Sequence, residues 1–287
     1  KKSIILPLGE VKLTRKIKSL SIIFRTNTNI EIWDQNKKRI FEKPKIEYAL
    51  RCLNSLIKSI KKVKEKKPDT LIKLQVIDDN SNDENLKKIK DLINSDGIDC
   101  KIINHNKSEH KEKIAAENND ETFGNLSSLL KCFEIAKKEQ SDLIYFVEDD
   151  YLHYDHSLVD MLDTYERISS QHKDEIIVCP SDYPFNYMTN EKTNILIGSR
   201  QHWRIITKML CTFMISKKTF LKHIDSFEKT CEKRHDPFEK YLNEILQKEI
   251  AISPVMSLAI HLTNVNSSYG LSPFVDYKKL WDENKVN

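Results

Sequence analysis

Short apolar runs alternate with amphipathic stretches along the first half of this chain. Four runs of strand length are apolar, aromatic or β-branched: residues 21–26, 71–77, 100–104 and 142–147. Three stretches between them carry apolar side chains at helical spacing: residues 48–63, 85–94 and 126–138. This β-α-β-α-β alternation predicts an α/β fold with a mostly parallel, doubly wound sheet flanked by helices.

The second half has a less regular pattern. Its predicted strands are residues 175–179 and 212–215, with an apolar run at 255–260. Its predicted helices are residues 158–168, 217–227 and 237–247, and residues 264–287 are predicted to be mostly coil. No repeat and no interdomain linker is apparent. We therefore expect one domain with a basic extension at 1–18, a regular half at 19–155 and an irregular half at 156–287.

Acidic residues follow two of the predicted strands. The run 142–147 is followed by Glu148, Asp149 and Asp150, and the run 71–77 is followed by Asp78 and Asp79. Ligands of open α/β sheets bind beyond the carboxyl ends of the strands, so the two groups are expected to share one cleft. A divalent cation such as Mg²⁺ or Mn²⁺ would offset the repulsion within the triplet. A solvated acidic turn is the alternative for the triplet alone.

Both acidic segments resemble motifs of a known family. The sequence VIDDNSND at residues 76–83 resembles the VDDGSTD stretch of family 2 glycosyltransferases, which have the GT-A fold. The sequence YFVEDDYLH at residues 145–153 resembles the DxD strand of the same family. The resemblance is good over residues 20–155 and loose beyond them. It implies a GT-A-like fold in which residues 19–155 bind a nucleotide-sugar and residues 156–287 bind the acceptor.

The resemblance implies residues that bind the donor. In that family an acid after the second strand recognises the base or ribose, and Asp78 and Asp79 hold that position. Thr26 and Asn27 end the first strand and are expected to line the same pocket. Asn125 matches an Asn that precedes the DxD strand's helix in the family. The alternatives are an Asx-type turn for the two acids and an ordinary helix N-terminus for Asn125.

The resemblance also implies a metal-bound diphosphate. Asp150 is the expected direct ligand of Mn²⁺ or Mg²⁺, Glu148 is expected to contact ribose or metal-bound water, and His261 would complete the metal shell. Asp149 belongs to the nucleotide-sugar motif, although alternation along an extended segment would turn it away from the other two acids. The triplet begins with Glu where the family usually has Asp. A structural role is the alternative for His261.

A transferase that inverts configuration needs a base to deprotonate the acceptor hydroxyl. In the family this is often an Asp or Glu before a helix in the second half. In the sequence HDPFE at residues 235–239, Pro237 at the first helical position would place Asp236 at the N-cap. Asp236 is therefore the expected base, with Asp182 as its rival. Capping alone is the alternative for Asp236.

An aromatic and basic cluster adds a further candidate. Arg204 could clamp the diphosphate or an acidic acceptor bidentately, and Trp203 could stack on a sugar ring. The surrounding residues 201–208 could form a loop that closes over the donor. An amphipathic surface turn is the alternative.

Composition narrows the class of protein. Five glycines among 287 residues leave no GxGxxG or P-loop motif, and the six cysteines form no CxxC pair, so no zinc site is expected. No signal-peptide pattern and no apolar run of about 18 residues appears, which predicts a cytoplasmic protein. Association of the basic run 58–67 with an anionic membrane surface stays open. The first residue is not Met, so a longer chain or a complex also stays open.

These observations support one leading hypothesis and two alternatives. The first is a metal-dependent glycosyltransferase that moves a sugar from a nucleotide-diphospho-sugar to a glycan or lipid-linked acceptor, with inversion, in surface polysaccharide or glycoconjugate synthesis. The alternatives are a sugar nucleotidyltransferase and a catalytically inactive GT-A-like carbohydrate-binding module. Residues 25–29 lack the Gly-rich loop of a nucleotidyltransferase. No basic and aromatic face indicates nucleic-acid binding.

Overall fold

The structure is a computed structural model that describes residues 11–29, 39–114, 117, 119–263 and 267–286. Its strands are β1 (Ser19–Thr26), β2 (Leu71–Asp78), β3 (Cys100–Asn104), β4 (Leu143–Glu148), β5 (Tyr151–His153), β6 (Ile176–Val178), β7 (Ile195–Ile197), β8 (His202–Ile205), β9 (Phe213–Ser216), β10 (Ile250–Pro254) and β11 (Ala259–His261). Its helices are α1 (Lys45–Lys66), α2 (Asp83–Ser95), α3 (Asp120–Lys138), α4 (Ser157–His172), α5 (Phe185–Met188), α6 (Lys217–Lys222), α7 (Ile224–Thr230), α8 (Lys240–Leu246) and α9 (Tyr277–Glu283).

Nine of these strands form one sheet, in the order β3-β2-β1-β4-β9-β6-β10-β8-β7. Only β8 and β9 run against the direction of the other seven, because each is antiparallel to its neighbours. β5 and β11 form a separate antiparallel pair. The predicted α/β class and the mostly parallel, doubly wound sheet are therefore confirmed.

The order of the strands reverses between β1 and β4. The chain builds β2 and β3 on one side of β1 and then returns to place β4 on the other side. Thr26 lies opposite Asp78, and Arg25 lies opposite Glu148, so the carboxyl ends of β1, β2 and β4 are level. Such a switch point is where open α/β sheets bind ligands.

The two central strands are buried on both faces. The consecutive residues Ile22 and Ile23 of β1 and Tyr145 and Phe146 of β4, which point to opposite faces of the sheet, have at most 2% of their surface exposed. Continuous apolar runs of this kind are typical of parallel strands covered on both sides. Phe133 of α3 packs edge-on against the ring of β4 residue Phe146, with centroids 5.3 Å apart. The strand ends that carry the acidic residues therefore extend from a closely packed core.

Two helices have boundaries that differ from those predicted from the sequence. The helix expected at residues 217–227 is divided at His223, whose Nε2 binds Glu249. The helix expected to begin at Pro237 begins at Lys240, because its first intrahelical bond runs from the Asn243 N–H to the Glu239 carbonyl. The predicted position of Asp236 at the N-cap is therefore wrong.

The C-terminal tail, predicted to be mostly coil, contains helix α9. Three donors of α1 meet the carbonyl groups at the end of α9. Arg51 donates to the Trp281 carbonyl at 2.7 Å, Asn54 to that of Asn284 at 3.1 Å and Lys58 to that of Glu283 at 2.6 Å. Side chains from residues more than 200 positions away thus satisfy the carbonyls that a short helix leaves unpaired. No local pattern reveals such partners.

Two further segments are packed against helices. In the polar stretch 105–121, His105 and His110 are buried and both contact Ser127 Oγ of α3, at 2.8 and 2.9 Å. Within the predicted N-terminal extension, the Ile17 N–H donates to Glu166 of α4 at 2.7 Å. In the described part of the chain, no helix is long and apolar enough to cross a membrane.

Gly198 provides a test of the packing between the outer strands. A Cβ atom at Gly198 would lie 2.3 Å from the ring of Trp203, which is fully buried. We expect Gly198→Ala to lower the free energy of unfolding by about 1–3 kcal/mol, as overpacking does. Urea unfolding measures the change.

Gly97 provides the matched control. Gly97 has a φ of +60°, a conformation that Asn tolerates, and no atom lies within 4 Å of the position that a Cβ would take there. Gly97→Asn should change the stability little. Equal losses in the two variants would contradict the packing argument.

Candidate active site

A cleft lies at the carboxyl ends of β1 and β4 and contains two cavities. The first, here called the β1 cavity, has a volume of about 260 Å³ and is lined mainly by residues at the ends of β1 and β4. The second, here called the α8 cavity, has a volume of about 660 Å³ and is bordered by the segment before α8. Asn125, Glu148 and Asp150 line both, so the two cavities meet at the acidic triplet.

Most residues predicted from the sequence come together in this cleft. The β1 cavity is lined by Thr26, Asn27, Asp79, Asn125, Glu148, Asp149 and Asp150. The α8 cavity is lined by Asn125, Glu148, Asp150, Asp236 and His261. Asp78, Asp182 and Arg204 line neither cavity.

Asp149, the middle acid of the triplet, is held by the protein itself. Its Oδ1 lies 2.5 Å from Lys45 Nζ, and its Oδ2 accepts hydrogen bonds from Thr26 Oγ1 at 2.8 Å and the Asn27 N–H at 3.2 Å. Burial alone would lower the pKa of Lys45, but the carboxylates of Asp149 and Asp150 raise it above its ordinary value. Lys45 therefore stays charged and fixes this acid.

Glu148, the first acid, is paired with Arg25 of β1. Arg25 Nη2 lies 2.5 Å from Glu148 Oε1, and Arg25 Nη1 donates to the Asn125 carbonyl at 3.0 Å. The Glu148 N–H donates to Thr212 Oγ1 at 3.0 Å, which fixes the backbone. Burial raises the pKa of Glu148, although Arg25 opposes this. Arg25 thus joins the triplet to the start of α3.

Asp150, the last acid, faces His261. Its Oδ2 lies 3.4 Å from His261 Nε2. Burial would raise the pKa of Asp150, but His261 and Lys45 lower it well below its usual range. Burial would lower the pKa of His261, and Asp150 raises it. The imidazole stacks on the Tyr151 ring at 4.7 Å, and its Nδ1 contacts the Tyr269 carbonyl at 2.7 Å.

Each acid of the triplet therefore has a basic side chain beside it. The repulsion that suggested a metal is offset by Arg25 and Lys45, and His261 faces Asp150. Among the described residues, no three His, Cys, Asp or Glu side chains form a ready metal cluster.

The surroundings of Asp150 nevertheless fit a divalent cation. Its Oδ1 is buried without a hydrogen-bond partner. A His261 Nδ1–H that donates to the Tyr269 carbonyl leaves Nε2 available, which is the usual arrangement of a metal-binding His. Mg²⁺ commonly takes one or two carboxylates and completes its shell with substrate phosphates. Two protein ligands here are compatible with that arrangement.

The two acids after β2 have different positions. Asp79 is buried in the β1 cavity, where its Oδ2 accepts a bond from Asn27 at 3.3 Å and its Oδ1 has no partner. Burial raises the pKa of Asp79. Asp78 instead accepts the Ser81 N–H at 3.1 Å, as in the Asx-type turn. Asp79 therefore offers the cleft an unsatisfied buried oxygen, and Asp78 shapes the turn.

Arg204 and Asp182 contact each other outside the cleft. Arg204 Nη2 lies 3.5 Å from Asp182 Oδ1 and donates to the Tyr187 hydroxyl at 2.7 Å. Residues 202–205 are strand β8, paired with β7 and β10, so the predicted closing loop at 201–208 is wrong. Trp203 is fully buried and cannot stack on a sugar. The conformation of residues 202–205 is therefore determined by their pairing with β10, which lies some 50 residues further along the chain.

Glu239 is a site residue that sequence reasoning missed. It lines the α8 cavity with Glu148, Asp150 and His261, and burial raises its pKa to about 7. Asp236 lines the same cavity but is exposed. The available signal was the segment HDPFE itself, in which either acid precedes the helix.

The residues of the β1 cavity that were not predicted include Arg25, Arg39, Lys45 and Tyr48. Arg25 ends an apolar strand beside Thr26, which could have indicated it. The other three lie before or within α1, far from any recognised motif.

Comparisons with solved structures find similar folds at low sequence identity. TarS 1-349 of S. aureus is 15% identical, with 83% of this chain and 58% of that chain covered and a TM-score of 0.44. GlyE of Streptococcus pneumoniae is 11% identical, with 95% and 61% covered and a TM-score of 0.46. A cytidylyltransferase from Leptospira borgpetersenii is 14% identical, with 94% and 89% covered and a TM-score of 0.43.

The chain thus spans about three fifths of the first two of these structures. No protein-family model and no curated protein sequence matches it. GlyE is named as a glycosyltransferase, so a protein of the kind that the two acidic motifs resemble is among the similar structures.

Lys45 is the most direct test of how the triplet is held. Lys45→Met leaves the largely buried Asp149 without its cation, which should lower the free energy of unfolding by about 3 kcal/mol. Lys62→Met is the matched control, since Lys62 pairs with Glu65 on the exposed face of the same helix and should lose nothing measurable. Chemical unfolding of both variants gives the comparison, and equal stabilities would contradict the pairing.

Proposed function

We propose that this chain is a glycosyltransferase that moves a sugar from a nucleotide-diphospho-sugar to a glycan or lipid-linked acceptor. The observation that carries the proposal is that two cavities of different size meet at Glu148 and Asp150. A transfer between two substrates needs two binding spaces that join where the bond breaks and forms. The meeting point lies at the switch point of the sheet, where such folds bind ligands.

The β1 cavity is the proposed donor site. The unpartnered oxygen of Asp79 would bind the base or a ribose hydroxyl, together with the amide of Asn27. Arg25, Arg39 and Lys45 line the same cavity and would offset the charge of the diphosphate. Hydrogen-bond acceptors and cationic side chains are thus both present in the space that the sugar donor would fill.

Asp150 and His261 are the proposed ligands of a divalent cation, Mn²⁺ or Mg²⁺. The unpartnered Oδ1 of Asp150 and the adjacent Nε2 of His261 support this assignment. When bound, the cation would neutralise the diphosphate leaving group as a Lewis acid. Glu148, held by Arg25, would border the ribose.

The α8 cavity is the proposed acceptor site, and Glu239 is the proposed base. A carboxylate with a pKa of about 7 can accept a hydroxyl proton near neutral pH, and Glu239 lines the cavity beside Asp150. Asp236 lines the same cavity and remains the rival. A base on the acceptor side is what an inverting displacement requires.

Donor binding is tested by thermal unfolding with UDP, GDP, CDP and dTDP, with and without Mn²⁺. A ligand present at about 100 times its Kd adds about 2.7 kcal/mol to the stability of the folded state, so one nucleotide should raise the Tm by several degrees. Mn²⁺ should enlarge the rise.

Asp150→Asn should abolish that enlargement. The control is Asp155→Asn, because Asp155 is exposed and lines neither cavity. If no nucleotide raises the Tm of the wild type, the donor-binding proposal is refuted. A product analysis with the matching nucleotide-sugar then separates sugar transfer from nucleotidyl transfer.

The assignment of the base is tested by comparing Glu239→Gln with Asp236→Asn. Loss of a general base costs about 10²- to 10⁴-fold in rate, so Glu239→Gln should lower kcat at least about 100-fold with little change in donor KM. Because the ionised form accepts the proton, wild-type kcat/KM should rise as the pH increases through about 7. A large loss in Asp236→Asn and none in Glu239→Gln would reverse the assignment.

A further inference from the structure

Four aromatic residues form a cluster beside the β1 cavity. The cluster, here called the aromatic clamp, consists of Phe41, Tyr48, Tyr277 and Trp281. Trp281 of α9 stacks on Phe41 with the centroids 4.2 Å apart and an interplanar angle of 16°. It also contacts the Tyr48 ring at 4.8 Å. The clamp therefore joins the C-terminal helix to the segment before α1.

Trp281 is fixed in the clamp from both sides. The guanidinium of Arg51 lies over its ring at 4.4 Å from the centroid and also donates to its carbonyl at 2.7 Å. Only 3% of the Trp281 surface is exposed. With the carbonyls of α9 bound by side chains of α1, the indole has one position against Phe41.

The clamp holds the backbone of Phe41. The Tyr48 hydroxyl donates to the Phe41 carbonyl at 2.7 Å, and the Phe41 N–H donates to the same hydroxyl at 2.7 Å. Arg39 lies two residues before Phe41 and Lys45 four residues after it, and both line the β1 cavity. The backbone of Phe41 is thus held in place between Arg39 and Lys45, the two cationic residues that line the cavity.

We propose that Trp281 is a positioning residue for the donor site: it sets, through Phe41, where Arg39 and Lys45 meet the phosphate groups of the donor. The inference rests on the proposed donor-binding function of the β1 cavity. Trp281 itself touches no ligand in this arrangement.

The physical reason is the length of the cationic side chains. Arg and Lys lose much rotamer freedom when they bind a phosphate, and a moving backbone adds to that loss. A segment fixed by ring stacking and two hydrogen bonds leaves only the side chains to be ordered. Preorganisation of this kind raises affinity without a new contact.

The proposal predicts a loss of affinity for phosphate groups when the indole ring of Trp281 is removed from the aromatic clamp. Trp281→Leu should raise the Kd of pyrophosphate, and of the nucleoside diphosphate that stabilises the wild type, by about 5-fold or more. Trp281→Phe keeps an aromatic ring against Phe41 and should recover most of the affinity. Phe41→Leu, at a half-buried position, should reproduce the loss if Trp281→Leu folds poorly. Isothermal titration calorimetry measures each Kd.

Two controls separate positioning from general destabilisation. Phe227→Leu truncates a fully buried ring in the core cluster around Phe133 and should lower stability without changing either Kd. In an Arg39→Met background, Trp281→Leu should cost less affinity than it does alone, because contacts acting through one group are not additive.

Two results would overturn the proposal. If the wild type binds the nucleotide and Trp281→Leu and Phe41→Leu bind it equally well, Trp281 supports only the fold. The conclusion would be the same if the affinity lost in Trp281→Leu were fully additive with the loss in Arg39→Met and if Phe227→Leu lost as much affinity. If the wild type binds neither pyrophosphate nor any nucleoside diphosphate, the proposed function itself fails, and this inference fails with it.

Discussion

The pairing of three consecutive acids with three basic side chains organises this molecule. Glu148, Asp149 and Asp150 would be costly to bury at the end of a central strand if each lacked a partner. The partners come from separate parts of the chain: Arg25 from β1, Lys45 from α1 and His261 from β11. The pairs therefore tie the first strand, the first helix and the C-terminal half of the fold to one point. The three acids are thus held in place by the protein before any ligand enters the cleft.

The arrangement of strands explains why that point is open to ligands. β1 and β4 are neighbours although more than 110 residues separate them, and the chain diverges from their carboxyl ends in opposite directions. The space left between the diverging segments becomes two cavities that share the acids. The core beneath is continuous and largely aliphatic, so the cleft lies at the ends of strands that cannot easily shift. The C-terminal helix adds a second support from the side, through Trp281 and Phe41.

The regular half of the fold was predictable because its signals are local. Apolar runs and helical spacing located β1 to β4, α1 and α2 within three residues at each end, whereas α3 begins six residues before its predicted start. The acids at strand ends placed Asp79 and Asp150 in one cleft. The errors fall where distant partners decide the outcome. Trp203 and Arg204 look like ligand contacts in the sequence, but pairing with β10 makes them part of the sheet. Helix α9 is short, and bonds from α1 supply what its own sequence lacks.

Strand and helix periodicity and the residues at strand ends are properties of short segments. The pattern of the chain alone therefore predicts the class of the fold, the edge of the sheet that carries the site and the acids at that edge. Packing in three dimensions establishes which basic side chain faces which acid, that Glu239 borders the second cavity, and that Asp182 and Arg204 bind each other instead of lining the cleft. These outcomes depend on distances between side chains that lie tens to hundreds of residues apart. Packing fixes such distances, and no local pattern encodes them.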